Sequence, residues 1–215
     1  ERNIPFSQSY SDQALLSQDD SKIYINDKSK KKLIHLKDIG IKGYHNIDNV
    51  LAASTLALKY GLKLEFIKKA IKKIKSLPHR MEFIKELDGI KYYNDSKATN
   101  INSTIAAIKS FDGNIILILG GRDKGDTDYK KLFLFTISKI KLIICYGESG
   151  EKIKKILSSK FKIKFYPIFK DAVQESIKRS ETGDVVLLSP SCSSYDQFNN
   201  FEHRGEYFKF LVTKL

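Results

Sequence analysis

Ile115-Ile116-Leu117-Ile118-Leu119-Gly120-Gly121-Arg122-Asp123-Lys124-Gly125 passes from an unbroken aliphatic run straight into glycines and charge. A short apolar run without polar alternation predicts a strand covered on both faces. The glycines and charges then place a loop at its carboxyl end. The same pattern recurs on either side. A helix near 101–109 precedes strand 115–119. After it come helix 128–137, strand 142–146, helix 150–158, strand 162–166, helix 170–180, strand 185–188 and a last helix near 200–213. Ahead of them all, runs 81–87 and 90–93 flank Asp88-Gly89, a tight hairpin signal. Alternating strands and helices give a mainly parallel sheet with helices on both faces. Residues 81–215 are therefore expected to form a doubly wound, Rossmann-like α/β domain. Such sheets bind ligands beyond the carboxyl ends of their strands.

Residues 1–80 read differently. Segment 1–20 is polar and aperiodic, and reads as loop. Ile23-Tyr24-Ile25 and Lys32-Leu33-Ile34 flank Asn26-Asp27-Lys28-Ser29-Lys30, a hairpin pattern. Residues 46–60 read as a helix that Val50, Leu51, Ala53, Leu56 and Leu58 surround, so it is expected to be buried, with Gly61 as its stop. Residues 64–75 read as an amphipathic helix with Leu64, Ile67, Ile71 and Ile74 on one face. Its lysines Lys68, Lys69, Lys72, Lys73 and Lys75 form a solvated face. Pro78 closes the segment, and a domain boundary is expected within 76–82.

The 215 residues are 41% hydrophobic and 29% charged, a composition that supports a packed core. The formal net charge is +13, from 38 Lys+Arg against 25 Asp+Glu. The excess is mostly lysine scattered through helices, with no basic tail. It reads as a compositional bias rather than a nucleic-acid groove, though it would draw anionic substrates such as nucleotides. Cys145 and Cys192 make no disulfide framework and fit a reducing, cytoplasmic compartment. Cys145 lies in an apolar run and reads as core. No apolar stretch approaches the roughly 20 residues of a membrane helix, and no signal peptide is visible. The chain begins at Glu1 without Met, so it is expected to be a piece of something longer.

Five clusters carry candidate chemistry. In Gly43-Tyr44-His45-Asn46-Ile47-Asp48-Asn49, Asn46 and Asn49 share a face near a helix start. They either grip a base or phosphate there, or one of them simply caps the helix. In Leu77-Pro78-His79-Arg80-Met81-Glu82, the Arg80 guanidinium can bind phosphate bidentately or make an interdomain salt bridge; His79 reads as structural. Asn94-Asp95-Ser96-Lys97-Ala98-Thr99-Asn100 lies between a strand end and a helix start, and its polarity argues against core. Asp95 can accept ribose hydroxyls, Lys97 can neutralise a phosphoryl group, Thr99 and the helix-start amides can hold a carboxylate or phosphate, and Thr99 or Asn100 could instead cap the helix. In Gly120-Gly121-Arg122-Asp123-Lys124-Gly125 the glycines allow close backbone approach to a ligand, and Lys124 suits an acidic one. The glycine spacing is not a P-loop. Ser189-Pro190-Ser191-Cys192-Ser193-Ser194-Tyr195-Asp196-Gln197-Phe198 runs on to Phe201-Glu202-His203-Arg204-Gly205. Its hydroxyls suit a carboxylate. Ser194 lacks a nucleophile elbow and Cys192 lacks a His–Asp setting, so both read as non-nucleophiles.

Taken in order, HNIDNVLAA, LPHRME, NDSKATN, LGGRDKG and LLSPSCSSYDQFNNFEHRGEYF make nearly the whole chain resemble the D-glutamate-adding branch of the Mur ligases. The resemblance implies the C-terminal end of a central ATP-binding domain over 1–80 and an amino-acid-binding Rossmann-like domain over 81–215. It implies ATP and Mg2+ as cofactors, with the P-loop and metal ligands upstream and no metal ligand in this chain. The substrates would be UDP-N-acetylmuramoyl-L-alanine and D-glutamate, joined through an acyl phosphate in peptidoglycan synthesis. By motif match, Asn46 and Asn49 would contact the adenine nucleotide, Arg80 its phosphates and Asp95 the ribose. Lys97 would be catalytic, beside the phosphoryl or acyl-phosphate oxygens. Thr99, Lys124, Ser194 and Phe201 would hold D-glutamate. A cytoplasmic monomer is expected, with no specific nucleic acid and no membrane among its partners. The rival readings are a sister ligase of the superfamily and a non-catalytic nucleotide- or RNA-binding α/β module.

Overall fold

The computed structural model describes residues 6–7, 16–18, 22–25, 31–41, 44–75, 77–125 and 127–215. The chain divides into two compact units, Glu1–Ser76 and Leu77–Leu215.

In the first unit, β1 (Phe6–Ser7), β2 (Leu16–Gln18), β3 (Lys22–Ile25) and β4 (Lys31–His35) form a sheet in that order. β1 and β2 are parallel, and the remaining pairs are antiparallel. The segment read as loop thus contributes two short strands. The hairpin turn expected at 26–30 lies outside the described residues, as does Gly43. Helices α1 (Tyr44–Lys59) and α2 (Leu64–Lys73) follow. α1 ends where its sequence says it should. Gly61 takes a φ of 81°, its amide bonds the Leu58 carbonyl at 3.0 Å, and the Leu62 amide reaches Ala57 at 3.0 Å. Those two bonds satisfy carbonyls that a helix end otherwise leaves bare. The core joins Ile23, Leu33 and Ile34 to Val50, Leu51, Ile67 and Ile71. α1 is not buried all round, contrary to expectation: Leu56 is 49% exposed and Ala53 is also exposed. The sheet meets one side of it, and burial follows that contact rather than hydrophobicity. Ile74 departs from its expected face for a related reason, since α2 has ended at Lys73.

In the second unit, β5 (Glu82–Leu87) and β6 (Ile90–Asn94) form the hairpin. Asp88 and Gly89 both have positive φ, at 51° and 75°, which matches the twist of a two-residue hairpin. Then come α3 (Ile101–Lys109), β7 (Ile115–Gly120), α4 (Lys131–Phe135), β8 (Ile140–Tyr146) and α5 (Gly150–Leu157). β9 (Ile163–Tyr166), α6 (Phe169–Arg179), β10 (Val185–Ser191) and α7 (Phe201–Thr213) complete the chain. The sheet order is β5-β6-β10-β7-β8-β9, parallel except for edge strand β5.

The continuous apolar runs separate cleanly by face. Ile115, Leu117, Leu119, Ile143, Cys145, Val185 and Leu187 meet α3, α4 and α5. Ile116, Ile118, Ile144, Tyr146, Val186 and Leu188 meet α6 and α7. Successive side chains of a strand point to opposite faces, so each run serves two cores. Each such side chain is worth roughly 1.5–3 kcal/mol when buried. α4 is shorter than the expected helix 128–137. Asp128 and Thr136 turn their side chains to backbone groups, Asp128 Oδ1 accepting from the Lys130 amide and Thr136 Oγ1 donating to the Leu132 carbonyl. Such bonds compete with helix continuation.

Candidate active site

The carboxyl ends of β6, β10, β7 and β8 are neighbours in the sheet, so the loops that follow them share one edge. The segment after β6 is built inward. Asn94 Oδ1 accepts from the Ser96 amide at 3.1 Å, and its Nδ2 donates to His79 Nδ1 at 2.9 Å. The other ring nitrogen, His79 Nε2, lies 3.5 Å from Glu206. The Asp95 amide bonds the Leu188 carbonyl at 2.7 Å. One Asp95 oxygen accepts from the Met81 amide at 3.2 Å and the other from Ser189 Oγ at 2.9 Å. His79 and Met81 both hold positive φ, at 63° and 46°, an uncommon state for such residues. Burial, only partly offset by Ser189, the Met81 amide and the Arg80 charge, pushes the Asp95 carboxyl up to about 7.

Arg204 locks this segment to the rest. It is fully buried. Its Nε donates to Ser96 Oγ at 2.9 Å and one terminal nitrogen to the Ser96 carbonyl at 2.8 Å. The other terminal nitrogen reaches Tyr146 and the Cys192 carbonyl, both at 3.1 Å. Ser96 Oγ in turn donates to the Phe201 carbonyl at 2.8 Å. The expectation that 94–100 cannot be core is therefore corrected: Asn94, Asp95, Ser96 and Ala98 are buried. Their polar groups are satisfied inside the protein, which is the condition for burying them. Lys97 stays exposed, with its ammonium 3.7 Å from the centre of the Phe201 ring, a cation–π contact. Thr99 is half-buried beside it, and Asn100 caps α3 by accepting from the Ser103 amide at 2.9 Å.

The loops after β7 and β10 are stitched together. The Arg122 and Ser193 backbones exchange bonds of 3.0 and 3.1 Å, and Ser193 Oγ adds one to the Arg122 carbonyl at 2.8 Å. A side chain at Gly120 would overlap the Tyr146 carbonyl, and one at Gly121 the Ser193 carbonyl. These glycines serve neighbouring backbone rather than the ligand approach expected of them. Gly125, by contrast, faces open space, and Lys124 before it is exposed. Ser194 is only 2% exposed, and its carbonyl accepts from the Gln197 and Phe198 amides at 3.2 and 2.8 Å. Burial pushes the Cys192 thiol up to about 11, so it is no nucleophile.

Residues 79–192 match the family model described as "Mur ligase, glutamate ligase domain". This chain belongs to the Mur ligase family. It is 39% identical over 180 residues to the UDP-N-acetylmuramoylalanine–D-glutamate ligase of Bdellovibrio bacteriovorus, covering 84% of this chain and 39% of that protein. The enzyme of the same name from Aquifex aeolicus is 41% identical over 197 residues, covering 89% and 47%. The chain thus spans less than half the length of these relatives. Its fold is similar to the UDP-N-acetylmuramate-alanine ligase of Thermotoga maritima, with a TM-score of 0.67 at 16% identity over 90% of this chain and 42% of that one. It also resembles a pseudomurein peptide ligase type C from Methanothermus fervidus, with a TM-score of 0.66 at 17% identity over 93% and 41%.

Within this Mur ligase unit the structure gathers Arg80, Asp95, Lys97, Thr99 and Phe201 at one end of the sheet, with Ser194 and the Lys124 loop next along it. Asn46 and Asn49 belong to the other unit, in the first turns of α1. Asn49 is exposed and lines an apolar cavity of about 470 Å³ with Ile41, Val50, Phe66 and Ile71. Sequence reading gave Arg204 no role. A signal was available: Phe201, Arg204, Gly205, Phe208 and Val212 follow helical spacing, so the arginine falls on the buried face of α7. Among the described residues no group of three or more His, Cys, Asp or Glu converges as a metal site, and no helix is long and apolar enough to cross a membrane.

Proposed function

We propose that this chain is the C-terminal part of a cytoplasmic, monomeric ATP-dependent ligase that adds D-glutamate to UDP-N-acetylmuramoyl-L-alanine in peptidoglycan synthesis. Residues 1–80 would be the end of its ATP-binding domain and residues 81–215 its amino-acid-binding domain. The observation that carries the reading is the sheet edge where the Lys97 ammonium lies over Phe201 beside Thr99, continuous with the stitched loops of Lys124 and Ser194. Cations and neutral donors on one edge suit an amino acid with two carboxylates. The relatives' names supply the substrate.

The reaction has two steps. The carboxylate of the acceptor attacks the γ-phosphorus, giving an acyl phosphate and releasing ADP. The D-glutamate amine then attacks the acyl carbon, loses a proton and expels phosphate. Nothing in this requires a protein nucleophile, so catalysis is positioning and charge neutralisation. Arg80 and Lys97 are exposed cations and would meet the phosphate oxygens. Asp95 lies beside Arg80 and would take the ribose, with Asn46 and Asn49 on the adenine nucleotide. Lys97 would neutralise the acyl phosphate, and Thr99, Lys124, Ser194 and Phe201 would hold D-glutamate. Magnesium, when bound, would screen phosphate charge; its ligands would lie outside these residues.

A coupled ATPase assay on the complete enzyme, with each candidate amino acid supplied in turn, tests the reading. D-glutamate should support turnover and other amino acids should not. Lys124→Ala should raise KM for D-glutamate about 10–100-fold, the worth of a charge-assisted hydrogen bond, and leave KM for ATP nearly unchanged. Asp95→Ala should do the reverse. Equal weakening of both substrates by both variants would refute the residue roles.

A further inference from the structure

Asp123 stands immediately before Lys124, and its carboxylate is 8% exposed. One oxygen accepts from Thr127 Oγ1 at 2.6 Å, four residues on, and the other from Lys152 Nζ at 2.8 Å. Its amide donates to Ser149 Oγ at 2.7 Å, while the Ser149 amide bonds the Gly121 carbonyl at 2.9 Å. Arg122 adds an ion pair to Glu148 at 2.9 Å. Burial opposes ionisation of Asp123, yet the Lys152 and Thr127 hydrogen bonds, the Lys152 charge and the Gly125 amide hold its carboxyl below the ordinary range. The loop is thus clamped just before Lys124, through residues 121–123 to the start of α5 and to Ser193, and after Lys124 Thr127 is tied back to the Asp123 carboxylate.

We propose that Asp123 is a positioning residue: its carboxylate closes the turn that presents the Lys124 ammonium to the amino-acid substrate. The inference rests on the D-glutamate role proposed for Lys124. A turn of this kind lowers the entropy of an exposed lysine's backbone, so the cation meets its carboxylate without first being ordered. Loss of the turn weakens amino-acid binding and leaves the nucleotide side of the site alone.

The test is a double-mutant cycle in steady-state kinetics of the complete enzyme. Asp123→Asn should raise KM for D-glutamate about tenfold, with kcat and KM for ATP within about twofold. Asp123→Glu, which keeps the charge, should recover part of that loss, and Thr127→Val should reproduce a smaller share of it. Added to Lys124→Ala, Asp123→Asn should produce no further rise, because both act through one ammonium. If the two effects multiply, or if Asp123→Asn raises KM for ATP equally, Asp123 is a structural residue only. If Lys124→Ala itself leaves D-glutamate saturation unchanged, the role of Lys124 falls and this inference falls with it. Should Asp123→Asn fail to fold, the same cycle with Thr127→Val decides.

Discussion

Asp95 is ringed by donors, the Met81 amide and the Ser189 hydroxyl, with Arg80 nearby, yet its carboxyl titrates near 7 because burial outweighs them. An unfolded aspartate titrates near 3.8. Between these values the unfolded chain releases its proton first, so stability present below about pH 4 is lost as pH rises through 7. Asp95→Asn removes the charge and keeps an acceptor for Met81. Its lead in Tm over the parent chain should therefore grow from pH 5 to pH 8, by the equivalent of a few kcal/mol; a constant lead would show that Asp95 is ionised cheaply. Arg204 is the opposite case, a buried cation whose hydrogen bonds go to neutral groups of Ser96, Tyr146 and Cys192. Arg204→Lys cannot reproduce the fork of a guanidinium. It should lower the free energy of unfolding by about 3 kcal/mol or more, read from the denaturant midpoint at constant slope.

The loops at the sheet edge are held by backbone, and their glycines differ for that reason. Gly121 has a φ of 123° and no room for a Cβ against Ser193. Gly125 has a φ of 108° and open space. Gly121→Ala should therefore break the Arg122–Ser193 pairing and destabilise by about 2–4 kcal/mol, whereas Gly125→Ala should cost about 1–2 kcal/mol of backbone strain alone. Chemical denaturation of the two variants side by side checks this, and equal losses would mean that strain, not packing, sets both. The same contrast operates between helices. α7 packs Gly205 against His79, where any side chain would strike the imidazole, so this helix locks the segment leading into β5.

Each of the two units has its own apolar core, with the α/β unit carrying one on each face of its sheet. The 215 residues should therefore fold when expressed alone, yet catalyse no ATP-dependent ligation, since the sequence contains no P-loop. Ligation of D-glutamate by the purified 215-residue chain would overturn the domain assignment. The formal charge of +13 should give only weak nucleic-acid binding that fades between 50 and 200 mM salt. On α2 Lys69, Lys72 and Lys73 are exposed and Lys68 is half-buried, as a helix exposed on one side requires. Tight binding that survived high salt would restore the RNA-binding reading.

The order of strands and helices after Pro78 was legible in the sequence because each apolar run is short and each ends in glycine or small polar residues. Nearly every element stands within a few residues of its expected place. α4 is the exception, cut short by Asp128 and Thr136. The motifs at the strand ends were legible for the same reason, since parallel sheets present those ends together. What sequence could not say is which polar residues point inward. Asn94 and Ser96 are as polar as Lys97 and Lys124, and local sequence gives each the same reading. Only the tertiary structure, by setting a hydroxyl, a carbonyl or a ring within reach of each polar atom, makes the first group core and leaves the second group free to meet a substrate. The reason is energetic: a polar group is buried where its hydrogen bonds are supplied from distant parts of the chain, and that supply is a property of the fold.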